Sequence, residues 1–119
     1  MKANRLIQRE VVTKIVELAK GRLSVELDRA LSHPFDEKAK AQFPCLEDRE
    51  KVKRLLKESV VLDWGKSEDC RLKFDLQSLA EFGISVEFLN ALEYGGAAMP
   101  ALAPMRRATA WARNNLSRI

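Results

Sequence analysis

The sequence predicts a mainly α-helical fold: a bundle of about five helices with a long first helix and a very short β segment near residues 72–76. Three observations lead to this prediction. Apolar residues recur at helical spacing along most of the chain, residues that cap or stop helices stand between these stretches, and polar–apolar alternation is confined to one short segment. At 119 residues, 46% of them hydrophobic, the chain has the length of about one globular domain.

The first helix is predicted over about residues 4–31. Gly21 leaves open one continuous helix or two that meet there, since glycine is about 1 kcal/mol less favourable than alanine inside a helix. Pro34 ends the helix because it disfavours helical geometry in the residue before it. The predicted buried stripe consists of Val12, Val16, Ala19, Leu23, Leu27 and Ala30, widened by Ile7, Val11, Ile15 and Leu31.

Two segments follow the first helix. Residues 35–44 are predicted to form a loop that Phe35 and Phe43 hold against the core. A second helix is predicted over about residues 46–64, because apolar residues share one side and oppositely charged pairs four residues apart occupy the other. These assignments make the first half of the chain a helical pair.

The clearest boundary in the sequence is the polar, turn-rich stretch of residues 65–69. It separates an N-terminal helical pair, residues 1–64, from a C-terminal helical region, residues 65–119. We expect the two parts to form one compact domain. Since a domain of this size has little stability to spare, the N-terminal pair is also a candidate dimer interface.

The C-terminal region is predicted to contain three shorter helices, each marked by residues at its ends. The first has Asp75 as its cap and Gly83 as its stop, the second lies between Ser85 and Gly95-Gly96, and the third runs from Pro104 to Ile119.

The charge balance is mildly basic, with 21 Lys and Arg against 17 Asp and Glu and a net charge of +4. This excess is compatible with nucleic-acid binding but also common in proteins that do not bind it. The first ten residues are too charged for a secretory signal, and no segment has the apolar length of a membrane span. We therefore predict a cytoplasmic location without membrane attachment.

The residue combinations that carry catalysis are not found in the sequence, which predicts a protein that is not an enzyme and has no cofactor. His33 is the only histidine, and it stands directly before Pro34 rather than beside a recognisable nucleophile and acid. Cys45 and Cys70 form no CxxC motif, so no metal site is predicted. Two reduced thiols fit a cytosolic protein, and a single disulfide is the alternative.

Residues 79–95, which include Leu79-Ala80 and Gly83-Ile84-Ser85, resemble the helix-turn-helix of phage-repressor-type DNA-binding domains. In that family a helix ending in Leu-Ala precedes a Gly-Ile-Ser turn, and the next helix closes with Leu-Glu-x-Gly, here Leu92-Glu93-Tyr94-Gly95. The resemblance implies a sequence-specific regulator that binds a palindromic site as a dimer. The spacing between Ala80 and Gly83 is one residue shorter than in the family.

The charge of this segment argues against DNA as the first choice. From residue 75 to 105 there are four acidic residues and no Lys or Arg, a net charge of −4, whereas DNA-binding helices rely on cations for affinity. Cations would have to come from the last helix. In this alternative hypothesis the nucleic-acid-binding residues are Ser85, Glu87, Arg106, Arg107, Arg113 and Arg118.

The leading hypothesis is a regulatory or adaptor protein that binds another protein of unknown identity. The uncharged run of residues 97–105 is a candidate docking surface because methionine side chains adapt to varied shapes. The competing interpretation of this run is a buried linker. For the aromatic residues before it, the competing interpretation is core packing. The candidate protein-binding residues are Phe88, Leu92, Tyr94, Met99, Leu102 and Met105.

Overall fold

A computed structural model describes residues 2–64 and 70–116, with the side chains of residues 10–63 and 71–116. It confirms the prediction of a mainly α fold with a short β segment. In chain order the elements are α1 (Lys2–Ala30), α2 (Glu37–Gln42), a 3-10 helix (Pro44–Asp48), α3 (Arg49–Glu58), β1 (Val60–Trp64), β2 (Cys70–Phe74), α4 (Leu76–Ala80), α5 (Val86–Tyr94) and α6 (Pro104–Asn115). Within these residues no helix combines the length and apolarity of a membrane span.

The fold is organised around α1, which packs along α6 at the other end of the chain. With 29 residues α1 is about 43 Å long, and it passes through Gly21 without a break. The predicted stripe from Val16 to Ala30 is buried, whereas Val12 is half-buried. The end of α1 is tied to α3, because Nη1 of Arg49 donates hydrogen bonds to the carbonyls of Leu31 (3.2 Å) and His33 (2.9 Å).

The loop prediction for residues 35–44 is wrong in its centre, where the chain forms α2. Asp36 caps this helix, and its Oδ1 accepts a hydrogen bond from the amide of Ala39 at 2.9 Å. A six-residue helix with one buried side chain, Ala39, has no apolar periodicity that a sequence pattern could reveal. The predicted anchors Phe35 and Phe43 are both buried.

The second predicted helix is too long, because α3 ends at Glu58 and the residues after it form a strand. β1 pairs antiparallel with β2, from Val60 opposite Phe74 to Trp64 opposite Cys70. The β-branched, apolar start of this segment suits a strand, and its partner strand begins only at Cys70. Residues 65–69, the predicted boundary, lie outside the described residues, but the strands on either side of them belong to one sheet.

The ends of the C-terminal helices follow the capping residues. Asp75 caps α4, and the hydroxyl and amide of Ser78 lower the pKa of its carboxyl. Gly83 has φ +79°, and Ser85 caps α5 by accepting a hydrogen bond at Oγ from the amide of Phe88 (3.1 Å). Gly95 ends α5 with φ +81°, and any side chain there would meet the backbone of Pro100 and Ala101. The predicted limits of α5 are therefore confirmed.

Candidate functional site

The six predicted protein-binding residues divide between core and surface. Phe88, Leu92 and Met99 are buried, and the ring of Phe88 packs edge-on against Phe43 at 5.4 Å between centroids. These three side chains are therefore not available to a partner in this conformation. Leu102 and Met105 are partly buried, and Tyr94, with 66% of its surface exposed, is the most accessible of the six.

The run of residues 97–105 folds back over the end of α5. The amides of Leu102 and Ala103 both donate to the carbonyl of Leu92, at 3.0 and 3.1 Å. Within the run, the Met99 side chain is buried, and the Met99 carbonyl accepts a hydrogen bond from the amide of Gly96. Most of the run thus serves as a packed linker, and Met105, at its end, faces two surface clefts.

The start of α6 is held by a carboxylate from α5. Ala103, the residue before the helix, has φ +51° and no side chain that could cap it. Glu93 takes this place: its Oε1 accepts from the amide of Met105 (2.9 Å), and its Oε2 accepts from the amide (3.1 Å) and Nε (2.9 Å) of Arg106. The Arg106 guanidinium also donates to the backbone carbonyl of Glu93 and lies 4.8 Å from the Tyr94 ring centroid.

This cluster changes the charge pattern read from the sequence. Glu93 was counted among the acids that would repel DNA, but it is buried and paired, and Arg106 is its partner rather than a free cation. Arg106 is attached to the last turn of α5, away from its start at Ser85. The exposed side chains of α5 are Val86, Glu87, Asn90 and Tyr94, and they include no cation.

The other described residues of the DNA-binding alternative lie on α5 and α6. The Ser85 hydroxyl is engaged in capping, and Glu87 is exposed in the first turn of α5. Arg107 is exposed on α6, Arg113 lines a cleft beside α1, and Arg118 lies outside the described residues. Among the described residues, no arginine forms a salt bridge with Glu87 at the start of α5.

Two adjoining clefts open on this side of the molecule. The Tyr94 cleft, about 340 Å³, lies between β2, α5 and α6, and its apolar lining includes Leu72, Phe74, Leu76, Val86, Leu89, Tyr94 and Met105. The arginine cleft, about 510 Å³, lies between α1, β2 and α6, and is lined by Val12, Ile15, Val16, Ala19, Arg71, Leu72, Met105, Arg106, Thr109, Ala110 and Arg113. Leu72, Met105 and Arg106 belong to both.

Sequence reasoning missed several residues of these clefts. Leu76 and Val86 are spaced like core residues but are 47% and 46% exposed. Each is the first residue of its helix, where the chain enters from the surface. Arg71 and Leu72 reach the clefts through the pairing of β2 with β1. The one available signal was the alternation of polar and apolar residues around Leu72.

Cys45 and His33, whose side chains are of reactive types, have surroundings that suit a structural role. Burial raises the pKa of the Cys45 thiol, which makes it a weaker nucleophile at neutral pH. The His33 ring packs against Phe35 at 5.1 Å, and its carbonyl receives the Arg49 hydrogen bond. In the part of the chain that the structure describes, no three His, Cys, Asp or Glu side chains come together as a metal site would require. The Cys70 side chain lies outside that part.

Comparison of the chain with protein-family models, with curated proteins and with solved structures gives no match in any of the three. The proposal of a function therefore depends on the geometry of the two clefts.

Proposed function

We propose that this chain is a small, non-catalytic binding module that recognises another protein through the Tyr94 cleft. The observation that supports this most strongly is the exposure of three large apolar side chains, Leu76, Val86 and Tyr94, around one concave surface. Contiguous exposed apolar surface costs solubility and often marks a place where a partner binds. Tyrosine is among the residues enriched at such interfaces.

The walls of the Tyr94 cleft are fixed before any partner arrives. The amides of Met105 and Arg106 donate hydrogen bonds to the Glu93 carboxylate, and these bonds join α5 to α6, two of the three elements that line the cleft. The Arg106 guanidinium stacked on Tyr94 restrains the most exposed ring. A preformed surface binds more tightly because less conformational entropy is lost on association.

Charge favours a protein over DNA as the partner. DNA binding depends on cations that approach phosphates from both sides of the reading helix. The exposed side chains of α5 have no positive charge, and Arg106 is paired with Glu93. A cytoplasmic location and self-association through the N-terminal helices remain predictions from the sequence.

The proposal predicts that a Leu76→Asp/Val86→Asp variant loses its protein partner. Both residues occupy the first position of a helix, where a carboxylate is tolerated, so the fold should survive. Affinity capture from an extract of the source organism, quantified by mass spectrometry, should show recovery of the partner falling about ten-fold or more.

The matched control is Val25→Asp, since Val25 is 45% exposed on α1 and lines neither cleft. Circular dichroism establishes that each variant keeps its helices. Equal recovery of the same proteins by the double variant and the control would contradict the proposal. So would a mobility shift of genomic DNA at low salt that weakens steeply as salt rises, because phosphate contacts have that dependence.

A further inference from the structure

The arginine cleft is a groove between two helices. Its floor is formed by α1 from Val12 to Ala19, where Val12 and Ile15 are half-buried and Val16 and Ala19 are already buried in the core. Its opposite wall is α6 from Met105 to Arg113. Seven residues of helix span about 10 Å, so the cleft is about two helical turns long. A helix that docks into such a groove presents apolar residues at the same i, i+4, i+7 spacing.

The charges at the cleft have one sign. Its lining contains Arg71, Arg106 and Arg113 and no acidic residue. Arg106 is paired with Glu93, whereas Arg71 and Arg113 are exposed and make no salt bridge with any described residue. Asp63 lies opposite Arg71 across the sheet, but its carboxylate is 3.8 Å from Nζ of Lys73. Among the described residues, these two guanidinium groups therefore have no anionic partner.

We infer that the arginine cleft receives an amphipathic helix of the partner protein whose apolar stripe is bordered by Asp or Glu. The inference rests on the proposed function and identifies the chemistry of the partner. The apolar stripe would cover the floor of the cleft. Carboxylates beside it would pair with Arg71 and Arg113, since the planar guanidinium matches a carboxylate through two parallel hydrogen bonds.

Other occupants satisfy only part of this surface. A nucleic-acid backbone would reach the arginines but leave the apolar floor uncovered. A purely apolar peptide would cover the floor but place its own uncharged edge against the arginines, which would lose water without gaining a partner. An anionic membrane is flat on the scale of a protein, and the floor of a concave cleft would not reach it.

The test uses two labelled model peptides of about 18 residues, roughly five helical turns. Both have the same leucine stripe, with Glu on its borders in one and Lys in the other. Fluorescence anisotropy with the full chain should show that the Glu peptide binds about ten-fold or more tightly than the Lys peptide, and that its affinity falls as salt is raised.

The variant Arg71→Ala/Arg113→Ala should weaken binding of the Glu peptide about ten-fold, because it removes both unpaired cations. The control Arg54→Ala/Arg107→Ala removes the same charge from exposed residues that do not line the cleft and should leave affinity within about two-fold. Equal binding of the two peptides, no binding of the Glu peptide, or equal effects of the two double variants would overturn the inference.

The peptide measurements and the partner-capture experiment can fail independently of each other. If these peptide measurements fail while partner capture still depends on Leu76 and Val86, the arginine cleft is excluded and the Tyr94 cleft stands. If the Glu peptide binds as expected but capture is insensitive to Leu76 and Val86, the docking surface moves to the arginine cleft.

Discussion

Replacing Phe88 with alanine is expected to lower the free energy of unfolding by about 4 kcal/mol, the usual cost of truncating a buried phenylalanine. The Phe88 side chain is fully buried and packs edge-on against Phe43, so its removal leaves a cavity between α5 and the segment after α2. Urea unfolding monitored by circular dichroism gives the free energy directly.

Phe82→Ala is the matched control for this experiment. Phe82 is 51% exposed in the turn after α4, and its ring lies 5.8 Å from Nζ of Lys51. The same chemical change there should cost about 1 kcal/mol or less, because little buried area is lost. If Phe88→Ala lowered the free energy of unfolding as little as Phe82→Ala, Phe88 would be a surface residue. The hypothesis that Phe88 contacts a partner requires such a position.

Replacing Glu93 with alanine is expected to lower the free energy of unfolding by about 3 kcal/mol. The change leaves two amides at the start of α6 without their charged acceptor, and a hydrogen bond to a charged group contributes about 1.5 to 3 kcal/mol. Separating the half-exposed Arg106 guanidinium from its carboxylate adds about 1 kcal/mol or less. Thermal unfolding should show a midpoint lower by about 10 °C, since 1 kcal/mol corresponds to roughly 3 to 5 °C at this chain length.

Two further variants separate the contributions. Arg106→Ala keeps both amide bonds to Glu93 and loses a half-exposed guanidinium, so it should cost about 1 kcal/mol. Glu81→Ala, at an exposed acid just after α4, should stay within about 0.5 kcal/mol of the unaltered protein. A Glu93→Ala effect no larger than that of Glu81→Ala would mean that Glu93 does not hold the start of α6.

The parts of the fold that were predicted are those in which local chemistry decides the structure. Ser85 and Gly95 mark both ends of α5 because a capping hydroxyl and a left-handed residue act on neighbouring backbone groups. The strand β1, and with it the end of α3, was missed because a strand depends on hydrogen bonds to a partner that the local pattern does not reveal. The α2 helix was missed because six residues are too few for a periodic pattern.

The candidate site was predicted less well than the fold, for a related reason. Tyr94 and Met105 were identified from the sequence, but the clefts that contain them form only where α1, β2, α5 and α6 come together. Helical spacing cannot tell a buried side chain such as Phe88 from an exposed one such as Val86, because both recur with the period of the helix. The pairing of Glu93 with the start of α6 was missed because its partners, Met105 and Arg106, lie beyond the linker.

The most direct test of protein recognition through the Tyr94 cleft is site-specific photocrosslinking. A benzoylphenylalanine at position 94, irradiated in an extract of the source organism, should give a discrete crosslinked protein that disappears in the Leu76→Asp/Val86→Asp background. The same group at position 82, which is exposed and lines neither cleft, should not give this product. The same product from both positions, or none from position 94, would contradict the account.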